Sequence, residues 1–265
     1  MCAYLALHRS QPDDIACLHS AYVELLPTED DFRTPLWFTA AEFALLQRTN
    51  VYGATMQRHR DWRAEHEQLD PSLKISWLNY LWAATILSSR AFSSRLITGI
   101  GEATPVLFPG VDSLNHRRGE KVGWLSGEDA LSLVTDADVS AGVELFNNYG
   151  PKSNEEWLLG YGFAVKDNVD DVLVLRLPDS PEWHMIKRDG QVPPALYDEI
   201  KTKLGDEEED ETQTKLNVLD QLGEMLQAKM AALQAPTEQV EGPVREEVRQ
   251  AIEWYRQGAC VLWQS

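Results

Sequence analysis

The stretch from Val111 to Phe163 reads VDSLNHRRGEKVGWLSGEDALSLVTDADVSAGVELFNNYGPKSNEEWLLGYGF, and it decides the fold. Four short motifs stand out in it: Asp112-Ser113-Leu114-Asn115-His116, Gly142-Val143-Glu144-Leu145-Phe146-Asn147-Asn148-Tyr149-Gly150, Lys152-Ser153-Asn154 and Tyr161-Gly162-Phe163. Each is ordinary by itself, because an Asn-His pair often forms a turn and a Tyr-Gly pair often ends a strand. Their order and separation are much more specific.

In this order the motifs resemble the C-terminal half of a SET domain, the catalytic module of S-adenosylmethionine-dependent protein methyltransferases. Further segments resemble the branch similar to the Rubisco large-subunit methyltransferase: Tyr80-Leu81-Trp82-Ala83-Ala84, Ser89-Arg90-Ala91-Phe92, Leu25-Leu26-Pro27, Pro35-Leu36-Trp37-Phe38-Thr39, Glu42-Phe43 and Ile252-Glu253-Trp254-Tyr255-Arg256-Gln257-Gly258. The resemblance implies an α+β protein with a SET-type fold of short β-sheets. It assigns residues 1–100 to a helical insert of the SET domain, 101–178 to the C-terminal SET core and 179–265 to part of a helical, substrate-binding-like lobe.

One segment expected from this resemblance is not found in its usual place. In the family, an N-terminal SET segment with a Gly-x-Gly turn precedes the insert and lies against the methionine part of the cofactor. Here the insert-like sequence begins close to Met1, and Gly99-Ile100-Gly101 follows the insert in what is expected to be a loop. We therefore expect a family member shortened at its front, with weakened cofactor binding and impaired activity.

Composition excludes several classes of function. A formal charge of −18 argues against nucleic acid, whose phosphates require clustered Lys and Arg, whereas an acidic surface can attract a basic protein or simply keep the chain soluble. No apolar run approaches the roughly 20 residues of a membrane helix. The three cysteines, Cys2, Cys17 and Cys260, are scattered, which argues against a disulfide framework and fits no metal site. These features predict a cytoplasmic or nuclear protein, or one found in both places.

Local patterns predict an order of helices, then strands, then helices. Capping boxes at Thr39/Glu42 and Ser153/Glu156 predict helix starts, the second helix reaching Leu159. Asp70-Pro71 predicts the start of a helix with Ile75, Leu78, Trp82, Thr85 and Ile86 on its apolar face. The predicted strands are 104–108, 121–125, 131–135, 144–149 and 171–177, and helices are expected near 195–204, 213–234 and 243–258. The acidic run 206–211 is expected to be a solvated loop.

Methylation of lysine moves a methyl group from a sulfonium to an amine by direct displacement, and the amine must first lose its proton. With an ordinary lysine pKa near 10.4, this costs roughly 4 to 5 kcal/mol at neutral pH. An apolar aromatic channel and a nearby sulfonium both disfavour the ammonium. Alignment of the reacting atoms then supplies further acceleration. Such a site needs aromatic walls, carbonyl oxygens and one hydroxyl, and no metal.

The resemblance assigns roles to particular residues. Tyr149 is the catalytic candidate, a hydroxyl beside the transferred methyl group that also contacts the substrate. The implied cofactor ligands are Arg90 for the carboxylate, Asn115 and His116 for the adenosine part, and Tyr161 and Phe163 for the cofactor edge. Substrate contacts are implied for Asp112, Trp124 and Tyr161. Turn capping by Asp112, a helix-end role for Arg90 and ordinary packing of the aromatic residues are the structural alternatives.

The sequence leaves two classes of function open. The first is an S-adenosylmethionine-dependent protein-lysine N-methyltransferase, with a histidine acceptor as a variant, acting on a lysine-bearing and basic protein. The second is a catalytically inactive, SET-derived protein-interaction module. The retained Tyr149, Asn115 and His116 favour the enzyme, whereas the displaced Gly-x-Gly pattern favours the module.

Overall fold

The structure is a computed structural model that describes residues 1–10, 19–98, 102–127, 130–205, 210–237 and 240–261. Its helices are Cys2–Ser10 (α1), Ser20–Glu24 (α2), Ala40–Ala44 (α3), Asn50–Glu67 (α4), Trp77–Arg90 (α5), Arg95–Thr98 (α6), Asn154–Tyr161 (α7), Pro194–Leu204 (α8), Glu211–Gln234 (α9) and Glu246–Val261 (α10). Its strands are Phe92–Ser93 (β1), Pro105–Val106 (β2), Asn115–His116 (β3), Val122–Ser126 (β4), Leu131–Thr135 (β5), Phe146–Asn147 (β6), Val172–Leu175 (β7) and His184–Lys187 (β8). This mixture confirms the α+β class. None of the helices within the described residues has both the length and the apolar character that crossing a membrane requires.

The strands pair two by two. Antiparallel pairs join β1 to β2, β4 to β5 and β7 to β8. The pair β3–β6 is parallel, with Asn115 opposite Phe146 and His116 opposite Asn147. This parallel pair aligns two of the sequence motifs side by side, and Tyr149 follows two residues after β6.

The chain divides into two compact units. The first comprises residues 1–32 and 58–151, and the second comprises residues 33–57 and 152–265. In the first unit, α1 packs on α5, whose Trp82 is buried and donates its indole N–H to the main-chain oxygen of Pro27 at 2.7 Å. The domain boundaries after residues 100 and 178, which the sequence suggests, stay a prediction.

Two apolar clusters form the core of the second unit. One is built from β7, β8, α8 and α9, with Leu196, Ile200 and Val218 almost fully buried. The other joins α7 and α10 to the chain around Leu46 and Val51. In α9 the buried residues Val218, Leu222 and Leu226 recur every four positions, so one face of this long helix is covered.

Both predicted capping boxes are confirmed. Thr39 is the N-cap of α3 and Ser153 is the N-cap of α7. The backbone N–H of each N-cap donates to the carboxylate of the glutamate three residues later. The helix predicted from Asp70 is wrong in its start. Pro71–Leu73 forms only a 3-10 turn that ends at Lys74 in the left-handed region, and α5 begins after Ser76, whose side chain accepts from the Asn79 N–H.

Other boundaries differ as well. Trp82, Thr85 and Ile86 are buried on α5 as predicted, whereas Leu78 is half exposed and Ile75 lies outside the helix. The helix α7 runs to Tyr161 rather than Leu159. The strands predicted at 104–108 and 144–149 shorten to two-residue pairs, whereas 131–135 is confirmed and β8 stands where helices were expected from residue 181. The Gly99–Gly101 loop, Cys17 and positions 206–209 of the acidic run lie outside the described residues.

Candidate functional site

Both the backbone N–H and the side-chain hydroxyl of Tyr149 form hydrogen bonds to the chain around β3. Its backbone N–H donates to Nδ1 of His116 at 3.1 Å, and its hydroxyl donates to the main-chain oxygen of Leu114 at 2.5 Å. The rings of His116 and Tyr149 lie 5.3 Å apart with an interplanar angle of 38°. These contacts bring the Asn-His and Tyr-Gly motifs together, as the joint spacing of the motifs predicts.

Asn115 stands on the exposed side of the parallel pair. Its amide Nδ2 donates to Oε1 of Glu144 at 2.7 Å, which leaves Oδ1 oriented as an acceptor. Just after β3, the backbone N–H of Arg117 donates to the main-chain oxygen of Asn147 and extends the pairing by one bond. The backbone of this segment is therefore held by hydrogen bonds to β6, and Oδ1 of Asn115 can accept a hydrogen bond from a ligand.

Asp112 is a buried carboxyl just before β3, with 6% of its surface exposed. Its Oδ2 accepts a short hydrogen bond from the Tyr22 hydroxyl, and Oδ1 has no hydrogen-bond partner within the described chain. Arg90 donates from Nη1 to the main-chain oxygen of Asp112 at 2.9 Å. Burial raises the pKa of the Asp112 carboxyl, although the Tyr22 hydrogen bond and the Arg90 charge act in the opposite direction.

Trp124 lies on β4 and packs its ring against Phe92 at 5.1 Å. It lines a recess of about 720 Å³ between the β4–β5 hairpin and the two neighbours of Tyr149, Asn148 and Gly150. Trp124 is therefore placed beside the Tyr149 segment. Its role as a wall for the substrate stays a prediction.

Tyr161 and Phe163 belong to the second unit. Both rings pack on Trp157, at 5.2 and 5.0 Å, and burial raises the pKa of the Tyr161 phenol. Gly162 between them adopts a left-handed conformation, and a Cβ there would lie 2.4 Å from the carbonyl carbon of Arg33. The Tyr-Gly-Phe motif thus has a structural function in the second unit, and its contact with a cofactor stays a prediction.

Three contributors to the site were not predicted from the sequence: Tyr22, the Leu114 carbonyl and Glu144. Tyr22 lies 90 residues from Asp112, and a main-chain oxygen has no residue type to mark it. Glu144 belongs to the quoted motif, but its bond to Asn115 spans 29 residues. Across the described ranges, no group of three or more His, Cys, Asp and Glu residues is arranged to hold a metal ion.

Comparison with curated proteins finds lysine and histidine N-methyltransferases among the relatives. The chain is 38% identical over 190 residues to ribosomal lysine N-methyltransferase set10 of Schizosaccharomyces pombe, covering 69% of this chain and 34% of that protein. It is 37% identical over 108 residues to ribosomal lysine N-methyltransferase 1 of Saccharomyces cerevisiae, covering 40% and 18%. Similarity to the mouse actin-histidine N-methyltransferase is 24% over 189 residues, covering 66% and 31%. The chain thus spans about a third or less of the length of these relatives.

Comparison with solved structures identifies the fold. The SET domain of LSMT, solved with lysine and AdoHcy, superposes with a TM-score of 0.75 at 19% identity, covering 99% of this chain and 72% of that one. Rubisco LSMT solved with AdoMet gives a TM-score of 0.73 with the same coverage. The SET-type fold is therefore confirmed. No family model matches the chain.

Proposed function

We propose that this chain, which is homologous to SET-domain protein-lysine methyltransferases of the Rubisco large-subunit methyltransferase-like branch, is an S-adenosylmethionine-dependent protein-lysine N-methyltransferase. The observation that carries the proposal is the attachment of the Tyr149 hydroxyl to the Leu114 carbonyl, next to the Asn115-His116 strand. A hydroxyl and a carbonyl oxygen held in contact form a fixed dipolar surface of the kind that stabilises developing positive charge near an amine.

The residues present fit the proposed cofactor. Arg90 donates one hydrogen bond from Nη1 to the main-chain oxygen of Asp112. Its guanidinium has further N–H donors in the same plane, which could bind the carboxylate of the cofactor. Asn115 Oδ1 can accept from an amino group, since its amide nitrogen is committed to Glu144. When bound, S-adenosylmethionine would supply the methyl group as an electrophilic sulfonium. The further guanidinium donors of Arg90 and the acceptor Oδ1 of Asn115 therefore support the proposed cofactor.

The acceptor amine is the second reactant. Because the Tyr149 hydroxyl directs its proton to Leu114, its oxygen presents lone pairs and can accept a hydrogen bond from an amine N–H. This arrangement suits orientation of a neutral amine better than donation of a proton to it. The loss of the lysine proton, which costs roughly 4 to 5 kcal/mol at neutral pH, is favoured where aromatic side chains exclude water. Trp124, packed on Phe92, provides one aromatic surface in the same unit as Tyr149.

The proposed partner is a protein with an accessible lysine. Two of the relatives are named as ribosomal lysine N-methyltransferases, so ribosomal proteins are the first acceptors to test. Their basic character complements the net charge of −18 on this chain, which would increase the rate of encounter at low salt. A histidine acceptor is the second candidate, supported by the similarity to actin-histidine N-methyltransferases.

We also propose a cytoplasmic or nuclear location. Cys2 and Cys260, the cysteines within the described residues, are both free thiols, which suits a reducing compartment. Imaging of a fluorescent fusion tests this proposal, and secretion of the fusion would contradict it.

The proposed function is tested by incubating the chain with radiolabelled S-adenosylmethionine and isolated ribosomal proteins. Label on protein, recovered as methylated lysine after acid hydrolysis, is the expected result. A matched reaction uses the same proteins after reductive dimethylation of their lysines, which removes the primary amines. Label that persists there and is recovered as methylhistidine would assign the histidine acceptor. Absence of both cofactor binding by calorimetry and label would reject the enzyme and support an inactive interaction module.

A further inference from the structure

Asp112 is held by two side chains that come from distant parts of the first unit. The Tyr22 hydroxyl of α2 donates to its carboxyl oxygen Oδ2, and Arg90 at the end of α5 donates to its main-chain oxygen. The carboxyl is buried and its other oxygen has no hydrogen-bond partner within the described chain, so Tyr22 is the side-chain donor that stabilises it. Because a buried carboxyl is costly without donors, the Tyr22 contact constrains where Asp112 can lie.

The turn that contains Asp112 leads directly to the oxygen that holds Tyr149. Val111–Ser113 is a 3-10 turn closed by the Leu114 N–H on the Val111 oxygen at 3.3 Å. The Leu114 oxygen then accepts from the Tyr149 hydroxyl at 2.5 Å. A shift of Asp112 therefore moves the carbonyl that orients Tyr149, with only one residue between them.

We propose that Tyr22 is a positioning residue for methyl transfer, acting through Asp112 and the 111–113 turn to hold the Leu114 carbonyl against the Tyr149 hydroxyl. The inference rests on the proposed function. Tyr22 touches none of the reacting groups in this role. Its effect comes from geometry, because a displacement of about 1 Å in a catalytic group is enough to slow a reaction strongly.

The same contact controls the charge of Asp112. Burial raises the pKa of this carboxyl, whereas the hydrogen bond from Tyr22 and the charge of Arg90 lower it, and these are the groups that face it from α2 and α5. Without the Tyr22 hydroxyl, Asp112 takes up its proton at higher pH. A neutral Asp112 attracts Arg90 less strongly, so the acid limb of the activity profile should move to higher pH in a Tyr22→Phe variant.

The test compares Tyr22→Phe with Tyr80→Phe. Tyr80 is a matched control, since it is buried in the same unit and donates its hydroxyl to a carboxylate, Oε2 of Glu65, at 2.7 Å. Amide hydrogen exchange is measured at Leu114 and Tyr149 without cofactor, and kcat and KM are measured across pH. In Tyr22→Phe we expect exchange at both amides to accelerate about tenfold, kcat to fall about tenfold and cofactor KM to change less than about twofold, the size of effect that loss of one hydrogen bond produces.

Tyr80→Phe should leave exchange at Leu114 and Tyr149, kcat and the acid limb unchanged. Unaltered exchange in Tyr22→Phe, or equal effects in the two variants, would overturn the positioning role and leave only a general contribution to stability. Because amide exchange is measured on the chain without cofactor or substrate, it tests the positioning role of Tyr22 separately from the proposed methyltransferase function. A wild-type protein that transfers no methyl group rejects the proposed function, whereas protected amides in Tyr22→Phe reject the link from Tyr22.

Discussion

Nδ1 of His116 accepts a hydrogen bond from the backbone N–H of Tyr149 at 3.1 Å, across 33 residues of chain. An imidazole nitrogen that accepts carries no proton, so the neutral His116 ring must hold its proton on Nε2. The bond therefore fixes both the position of the Tyr149 backbone and the tautomer of the histidine. Together with the bond from the Tyr149 hydroxyl to Leu114, it leaves the tyrosine ring little freedom to rotate.

Replacement of Tyr149 by phenylalanine should reduce turnover by about 10²-fold or more, the scale seen when one aligned electrostatic group is removed from a site. Cofactor affinity should change little, because the hydroxyl is bonded to the Leu114 carbonyl and its proposed role is to orient the acceptor amine. Single-turnover methylation and calorimetry measure the two effects. Tyr52→Phe, which alters a ring stacked on Phe43 in the second unit, is the control. Turnover of Tyr149→Phe equal to that of the control would exclude this role.

Gly162→Ala should destabilise the second unit strongly. Gly162 has φ +82°, and a Cβ would lie 2.4 Å from the carbonyl carbon of Arg33 and 2.7 Å from the nitrogen of Thr34. Gly205 has a similar φ of +73°, and among the described residues other than its chain neighbours no atom lies within 4 Å of its would-be Cβ, so Gly205→Ala tests mainly the backbone strain. We expect about 1 kcal/mol for Gly205→Ala and about 1–3 kcal/mol more for Gly162→Ala, measured by urea unfolding. Equal losses would show that the close approach to Arg33 is relieved at no cost.

Arg245→Met should lower the free energy of unfolding strongly. Its guanidinium donates to both oxygens of Glu42, a side chain with 0% of its surface exposed, at 2.8 Å. Removal of the arginine leaves a buried carboxylate unpaired and should cost about 3–5 kcal/mol of unfolding free energy. Arg249→Met breaks an exposed pair with Glu246 at 3.8 Å and should cost less than about 1 kcal/mol. A loss of similar size in both variants, measured by chemical denaturation, would contradict this account of Glu42.

Asp171 should make the stability of the protein fall with rising pH. Burial raises the pKa of this carboxyl to about 6, although hydrogen bonds from Asn154 and Asn168 lower it. Gly258 of α10 permits this burial, since a Cβ there would lie 2.0 Å from Oδ2 of Asp171. The folded state therefore holds a proton that the unfolded chain, with an ordinary pKa near 3.9, has released.

The stability contribution of Asp171 is thus fully present below about pH 4 and is lost as the pH rises through about 6. A raised pKa of this size corresponds to roughly 2–3 kcal/mol. The unfolding free energy of the wild type minus that of Asp171→Asn should fall by that order between pH 4 and pH 7. A difference that stays flat or grows with pH would refute the assignment.

Much of the local structure could be predicted from neighbouring residues. The capping boxes at Thr39/Glu42 and Ser153/Glu156 formed because both partners lie within one helical turn. The strand 131–135 followed from a short run of β-favouring residues bounded by turn-forming residues. The prediction for α5 failed at its start, because Asp70 caps only a 3-10 turn that ends at Lys74 in the left-handed region, and Ser76 caps α5. Preferences of single residues do not rank two competing starts.

The candidate site divides in the same way. The residues of the Asn-His and Tyr-Gly motifs could be named from their order in the chain, and the structure brings Asn115, His116 and Tyr149 together. Tyr22 could not be named, because its partner Asp112 lies 90 residues away and no local pattern connects them. The roles of Trp124, Tyr161 and Phe163 stay predictions, since packing on other aromatic rings accounts for their present contacts.

The sequence by itself determined the capping boxes of α3 and α7 and the residue types available for chemistry, because both are set within a few residues. Only the tertiary structure decided that β3 pairs in parallel with β6, that Leu114 receives the Tyr149 hydroxyl and that Tyr22 and Arg90 converge on Asp112. These contacts close long loops. Their entropic cost is offset only when burial and hydrogen bonding form together, so no segment of the chain specifies them alone.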